Sequence, residues 1–556
     1  MSAQPARRSP GDHRTPERVD VIIVGAGFSG LYMLHRARGL GLTAHILERG
    51  DDVGGTWYWN RYPGARCDIE SIDYSYSFDE QLTRDWRWRE RYAAQPEILA
   101  YIGHTADRFD LRKDITFSTT VRTAVWTEAA NEWILHCDTG HTVRATYCVM
   151  ATGCLSVAQQ PDFPGLGDFT GEWYHTGQWP HEPVDFTGKT VAVVGTGSSG
   201  IQAIPRIAAV ARQLYVLQRT PNYSMPAHNR PLTDDELDAA ISEFSRRRRI
   251  CEHSDAGVPH PPPTRTTFDV TAEARRARYE EGWQRGGINS LSAAFTDFFT
   301  DERANRQAQD FARAKIREIV RDPRTAALLS PQHHIGTKRT CTDIGYFETY
   351  NRDNVELVDA KTNPIQHVTR TGIQLRDRHI DVDLIVFAIG FDAITGALAD
   401  IDIRGTDGES LKQKWAHGPR TLLGLQSAGF PNLFMITGPG SPSVLSNMLV
   451  SIEQHVDWIA DCLTHLRRQG EDRIEAAPEA EDRWMDHVAE LAADTLYPKA
   501  NSWYLGANIA GKPRTFMPYV AGCGQYRQEC EQVAARGYEG FLLGRRPSPI
   551  GKGAQP

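Results

Sequence analysis

Two glycine-rich segments offer the first chemistry in this chain. GAGFSG carries Gly25, Gly27, Ser29 and Gly30, and GTGSSG carries Gly195, Thr196, Gly197, Ser198, Ser199 and Gly200. Glycines at this GxGxxG spacing let backbone N–H groups at a helix N-terminus approach a pyrophosphate, whose charge the helix dipole favours. One such segment alone is weak, because glycines also serve ordinary turns. Here each follows an apolar run and opens a helical stretch, the context the motif requires. Two dinucleotides are therefore expected. Glu48, 18 residues past Gly30, suits hydrogen bonds from ribose hydroxyls, as FAD or NAD would need. Arg219, 19 residues past Gly200 and followed by Thr220, would attract a 2′-phosphate and so favours NADPH over NADH. A surface arginine closing a strand is the competing reading of Arg219. FAD is placed in the N-terminal unit, because GGTWYWNRYPGARCD (54–68), with Gly55, Thr56 and Trp57, supplies aromatics and turns able to wrap an isoalloxazine ring.

These loops need strands and helices to hold them. VDVIIV at 19–24 reads as a buried parallel strand feeding a helix that begins near Phe28, with a second strand at 44–47. KTVAVV at 189–194 and a strand at 214–217 repeat the unit. Apolar runs at 147–150 and 384–387 read as late strands returning to each sheet. Residues 231–330, rich in Arg, Glu and Ala, form long amphipathic stretches. The expected fold class is α/β: two Rossmann-like dinucleotide-binding domains with a helical insertion in the second. The FAD-binding domain takes 19–153 and 391–545, the NADPH-binding domain 154–230 and 331–390, and the insertion 231–330. A helix at 452–466 and a Gly/Pro/Asn-rich stretch at 501–518 belong to the first. Residues 1–18 and 546–556 read as disordered ends.

Bulk properties narrow the function class. At 556 residues the chain exceeds one compact core. Its 62 basic against 70 acidic residues, a net charge of −8, argue against nucleic acid or an anionic membrane as partner. The one basic run, RRRR at 246–249, reads as a solvated face. Nine cysteines lie scattered with no CxxC pair, which removes a redox dithiol and fits a reducing compartment. No metal-ligand spacing, signal-peptide pattern or apolar run approaching about 18 residues appears, so a cytoplasmic location without metal or membrane span is expected.

FTGEWYHTGQWP at 169–180 meets the pattern FxGxxxHxxxWP through Phe169, Gly171, His175, Trp179 and Pro180. Residues 54–68 meet GGxWxxxxYPGxxxD. With GTKRTCTDIGYFETYNRDNV (336–355), GPGSPSVLSNM (438–448) and NSWYLGAN (501–508), they resemble the type I Baeyer–Villiger monooxygenases across about residues 19–545. The likeness is greatest to the phenylacetone and steroid monooxygenase branch. It implies an FAD-dependent, NADPH-consuming enzyme that inserts one atom of O2 beside a ketone carbonyl through a C4a-peroxyflavin. The product is an ester or lactone, and the second oxygen leaves as water. Aryl-alkyl, cyclic and steroid-like ketones all fit; a monomer is favoured with oligomeric state open.

The resemblance also assigns roles. Arg339 would keep the peroxide ionised and stabilise the oxyanion formed on attack, work suited to a side chain that stays protonated. Asp68 would hold Arg339. Lys338 would join Arg219 and Thr220 at the 2′-phosphate. Trp503 would close over the nucleotide from a mobile lid, a buried core position being its competing reading. Tyr74, Val121 and Met448 would touch cofactor, and Ser443, Val444 and Leu445 would line the ketone pocket. Phe169, Gly171, His175 and Trp179 would form an interdomain linker with a mechanical task. Two positions depart from relatives: Ile389 stands where Thr is usual, and Cys154 where close relatives carry Gln. The alternative activity is flavin-dependent N- or S-hydroxylation.

Overall fold

A computed structural model describes residues 15–545. The expected disordered ends lie outside that span except at 15–18, where the expectation is corrected. Arg18 opens the first strand opposite Arg144, and its guanidinium meets Glu132.

The larger sheet has eight strands and is built on Arg18–Val24. Val21, Ile22 and Ile23 are all fully buried, as a strand covered on both faces requires. Ala44–Leu47 pairs with it in parallel on one side and Thr142–Met150 on the other. Ile115–Thr116 extends one edge, and Leu433–Met435 returns from far along the chain to join Thr142–Met150. Beyond these parallel strands the chain folds back through Val121–Thr127, Glu132–Cys137 and Thr142–Met150, an antiparallel meander. The second sheet is wholly parallel, in the order Val355–Asp359, Gln213–Gln218, Thr190–Val194, Leu384–Phe387, Glu172–His175. The strip expected as a linker thus supplies that sheet's edge strand.

Between the paired strands Ser224–Pro226 and Cys341–Asp343 the chain is helical: Asp234–Ser242, Phe244–Glu252, Ala272–Arg285, Glu302–Ile319 and Pro323–Leu329. These helices do not all lie on the second sheet. Leu237, Phe244 and Val258 join the same core as the first glycine loop's helix, Phe28–Gly39. This corrects the solvated face expected at 246–249 for Arg247 and Arg248, while Arg246 and Arg249 are exposed. Phe244, Arg248 and Cys251 recur at helical spacing and are buried. Arg248, 4% exposed, pairs with the buried carboxylate of Glu453, which also accepts from Ser77 N at 2.6 Å. Arg247 forks onto Asp73 at 2.5 and 2.6 Å. Glu453 stands on the longest helix, Met448–Gln469, which starts at an Asn447 cap and stops at left-handed Gly470. Among the described residues no helix is long and apolar enough to cross a membrane.

Candidate active site

Both glycine loops bend in the same way. Gly25 has φ +107° and Gly195 φ +106°, and a Cβ at either would lie 2.7 or 2.4 Å from the carbonyl oxygen of Ala151 or Ala388. Each is therefore a position only glycine can fill, at the point where a strand end faces the start of a helix. The last glycines act differently. Gly30 and Gly200 seat each helix against its own loop, and neither lines the cleft between the loops, which corrects their expected place at the cofactors.

The two loops open onto one cleft of about 1300 Å³, beyond the roughly 300–1,000 Å³ of a pocket for a drug-sized ligand. Gly25, Gly27, Ser29, Glu48, Gly55, Thr56 and Trp57 line its first half. Tyr74, Val121 and Met448 stand there too, with Tyr74 Oη accepting from Trp57 Nε1 at 3.2 Å. Gly195, Thr196, Gly197, Ser198, Ser199, Arg219, Thr220 and Lys338 line the second half. Glu48 accepts from Ala26 N and Gly50 N, both at 2.6 Å; burial raises its pKa and these donors counter it. The loop and the strand end are thereby fixed to each other. Tyr62 and Gln202 tie the halves together, through Tyr62 Oη to Gln202 Oε1 at 2.8 Å and Gln202 Nε2 to Arg66 O at 3.1 Å.

Arg219 and Lys338 are a pair of like charges. Burial and then Arg219 lower the Lys338 pKa, and among the described residues neither cation has a carboxylate partner. Two unpaired cations turned into one cleft suit a dianion such as a sugar phosphate. The glycine cradles and this cation pair fit two dinucleotides, one bearing a 2′-phosphate.

Arg339 and Asp68 meet although 271 residues separate them. Nε donates to Asp68 Oδ2 at 3.1 Å and Nη2 to Oδ1 at 2.8 Å, while Nη1 donates to Val444 O at 2.7 Å. These contacts use three of the five N–H hydrogens, and the Tyr504 hydroxyl lies within reach of another. Burial pulls the Arg339 pKa down, but Asp68 outweighs it, so the guanidinium stays charged. Asn222 Nδ2 holds the Arg339 carbonyl at 2.9 Å, a contact with no signal in the sequence.

A second hollow, about 910 Å³, lies on the far side of Arg339. Arg339 and Val444 line both cavities, and Leu445 lines the second. Ser443 lines neither, which corrects its expected place in the pocket. It is fully buried at φ +44°, with Oγ 3.2 Å from Cys154 Sγ. The short helical turn Ser443–Leu445 cannot show three successive side chains to one side, and its first residue turns into the core. Cys154 thus touches the loop that carries Val444 as well as lining the cleft.

Trp503 is half-buried on the cleft wall, its ring 4.4 Å from that of Tyr504. Its loop is fastened by Asn508 Nδ2 to Phe391 O at 2.8 Å and by a Lys512–Asp392 ion pair. The four marker residues lie off both cavities. Phe169 is half-buried, Gly171 abuts the Asp383 carbonyl, and Trp179 packs with Tyr174 and Phe186. His175 is 3% exposed; its Nδ1 accepts from Gly177 N at 2.9 Å, and burial lowers its pKa to about 4.

Relatives bear on what this arrangement does. The flavin-binding monooxygenase-like family matches residues 18–229. A Baeyer–Villiger monooxygenase of Pseudooceanicola batsensis is 40% identical over 535 residues, covering 96% of this chain and 97% of that one. The chain belongs to the type I Baeyer–Villiger monooxygenases. A solved structure of oxidised steroid monooxygenase bound to NADP matches this family member at TM-score 0.92 and 52% identity, over 95% of this chain and 100% of that one. A phenazine N-monooxygenase of Lysobacter antibioticus is 40% identical over 542 residues, covering 96% and 98%. This Baeyer–Villiger monooxygenase therefore shares its scaffold with a protein named for oxygenating nitrogen.

Proposed function

We propose that this flavin monooxygenase uses FAD and NADPH to insert one atom of O2 beside a ketone carbonyl, giving an ester or lactone. One observation carries the reading: a charged arginine, pinned by Asp68 and Val444 O, keeps a spare N–H in the wall common to both cavities. FAD belongs at the first glycine loop with Thr56, Trp57 and Tyr74, and NADPH at the second with Arg219, Thr220 and Lys338 on its 2′-phosphate. In domain terms, residues 19–153 and 391–545 hold the flavin and 154–230 and 331–390 the nicotinamide nucleotide. Reduced flavin, when bound, supplies the electrons that activate dioxygen.

The side chains do the rest. Arg339 places a full charge where an oxygen anion must persist, and its spare N–H meets the ketone oxygen as that atom becomes an alkoxide. A donor of this kind lowers such a barrier by about 3 kcal/mol. Asp68 holds the guanidinium in one orientation and keeps it charged. Trp503 covers the nucleotide and excludes water. Val444 and Leu445 give the ketone an apolar seat. The edge strand at 172–175 holds the second sheet's geometry beside the nucleotide.

The test is a ketone panel with NADPH and O2, scored by mass spectrometry for a gain of one oxygen. Arg339→Ala should still oxidise NADPH but release hydrogen peroxide in place of ester. Ester formation at near wild-type rate in that variant would overturn the assignment. The phenazine relative supports a second reading, nitrogen oxygenation at the same site. An aromatic N-heterocycle in the panel decides it: N-oxide without any ester would favour that reading.

A further inference from the structure

The hollow beyond Arg339 is at the upper end of the roughly 300–1,000 Å³ range for pockets that enclose whole drug-sized ligands. A small ketone seated at Arg339 would leave most of it filled with water. Its middle is apolar, with Ile288, Phe295, Phe299, Leu445, Tyr497 and Val520 in the wall. Another stretch of its wall is different. There the helix Phe244–Glu252 presents Arg246, Arg249 and Ile250, with His253 just beyond its end. The spacings of three, four and seven place all four on one face.

The basic run at 246–249 is therefore divided between two tasks. Arg247 and Arg248 turn to Asp73 and Glu453. Arg249 is exposed and has no carboxylate partner among the described residues. Arg246 pairs with Glu243 in an exposed contact, their side chains 65% and 54% accessible. Such a pair is worth little and exchanges readily for another anion. Ile250, 40% exposed, flanks Arg246 on the side away from Arg249. The lining has one acid, Asp255, which lies against Gly522 at the start of the helix Gly522–Ala535. The helix dipole offsets its charge there.

We infer that the natural substrate is an elongated ketone with an apolar body whose far end carries a carboxylate, bound by Arg249 and Arg246. The inference rests on the reading of Arg339, which fixes where the carbonyl lies. A neutral end gains nothing from two exposed guanidinium groups, whereas a carboxylate meets them with charge-assisted hydrogen bonds.

The experiment compares a long-chain aryl ketone ending in a carboxylate with its methyl ester, using the holoenzyme with NADPH and O2. The keto acid should show a KM about threefold to fivefold below that of the ester, and the same ratio in Kd when titrated into oxidised enzyme. The double variant Arg246→Glu/Arg249→Glu should raise both values for the acid by at least that factor and move the ester less than twofold. Equal KM for acid and ester in the wild type, or a variant that shifts both alike, would overturn the inference. So would failure to oxygenate either compound while simple ketones from the panel are converted, an outcome that leaves the reaction assignment standing. If no ketone is oxygenated, the reaction reading falls first and this one with it. Sedimentation of the wild type, but not the variant, with phosphatidylglycerol vesicles, together with equal binding of acid and ester, would instead make this face a membrane contact and reject the carboxylate.

Discussion

Arg339 and the pair Arg219–Lys338 show two ways of using a cation. Arg339 is given a permanent counter-ion and so keeps one charge state and one orientation. Arg219 and Lys338 are given none and are left to repel each other until an anion arrives. It follows that Arg219→Ala should raise the KM for NADPH about tenfold, the loss of one charge-assisted contact, while moving that for NADH little. Steady-state kinetics with both nucleotides checks this, and equal effects on the two would reject the 2′-phosphate role. Arg219 was legible from its charge and its spacing past the second glycine loop. Arg339, Asp68 and Lys338 were named through the family resemblance, and Arg339 and Asp68 do meet. Ser443 was not legible, since the member of a short turn that faces inward depends on a backbone angle of +44°. Nor was Asn222, whose contact is to a backbone carbonyl and leaves no pattern.

Among elements, the buried parallel strands announced themselves as short apolar runs ending in glycine loops. The meander from Val121 to Met150 carried a different signal, an alternation of buried and accessible residues along VRTAVWT, which a search for unbroken apolar runs passes over. The inward face of the helix Phe244–Glu252 was missed for a related reason. Four consecutive arginines look solvated until the helical period divides them, sending Arg248 inward beside Phe244 and Cys251. The buried pair it forms with Glu453 joins this helix to Met448–Gln469. Removing one partner strands a charge, so Arg248→Ala should cost about 3–5 kcal/mol of stability. Replacing both, Arg248→Met with Glu453→Gln, should recover much of that. Chemical denaturation of the three proteins measures it, and a single variant as stable as wild type would show that water reaches the pair.

For the molecule as a whole, acid should be more harmful than its net charge suggests. His175 is held neutral by burial with its pKa lowered to about 4, and His455, also buried, to about 3. In the unfolded chain both titrate near 6.5. Below that value the unfolded state binds protons that the folded state refuses, so stability falls as pH drops through the window from 6.5 toward those lowered values. At pH 5 each histidine contributes a loss of about 2 kcal/mol. Asp343 works in the opposite sense. Burial raises its pKa to about 6, so the folded state protonates first and recovers about 1 kcal/mol by pH 5. The melting temperature should therefore decline from pH 7 to pH 5, and His455→Gln should flatten that slope whatever it does to stability at pH 7. A level profile in the wild type would refute the buried neutral assignment.

The partition formed by Arg339 and Val444 has a further consequence at this scale. Arg339 and Val444 stand in the walls of both cavities. Under the proposed function, ketone and nucleotide would load against two faces of the same residues, so a change at either residue would be felt on both sides.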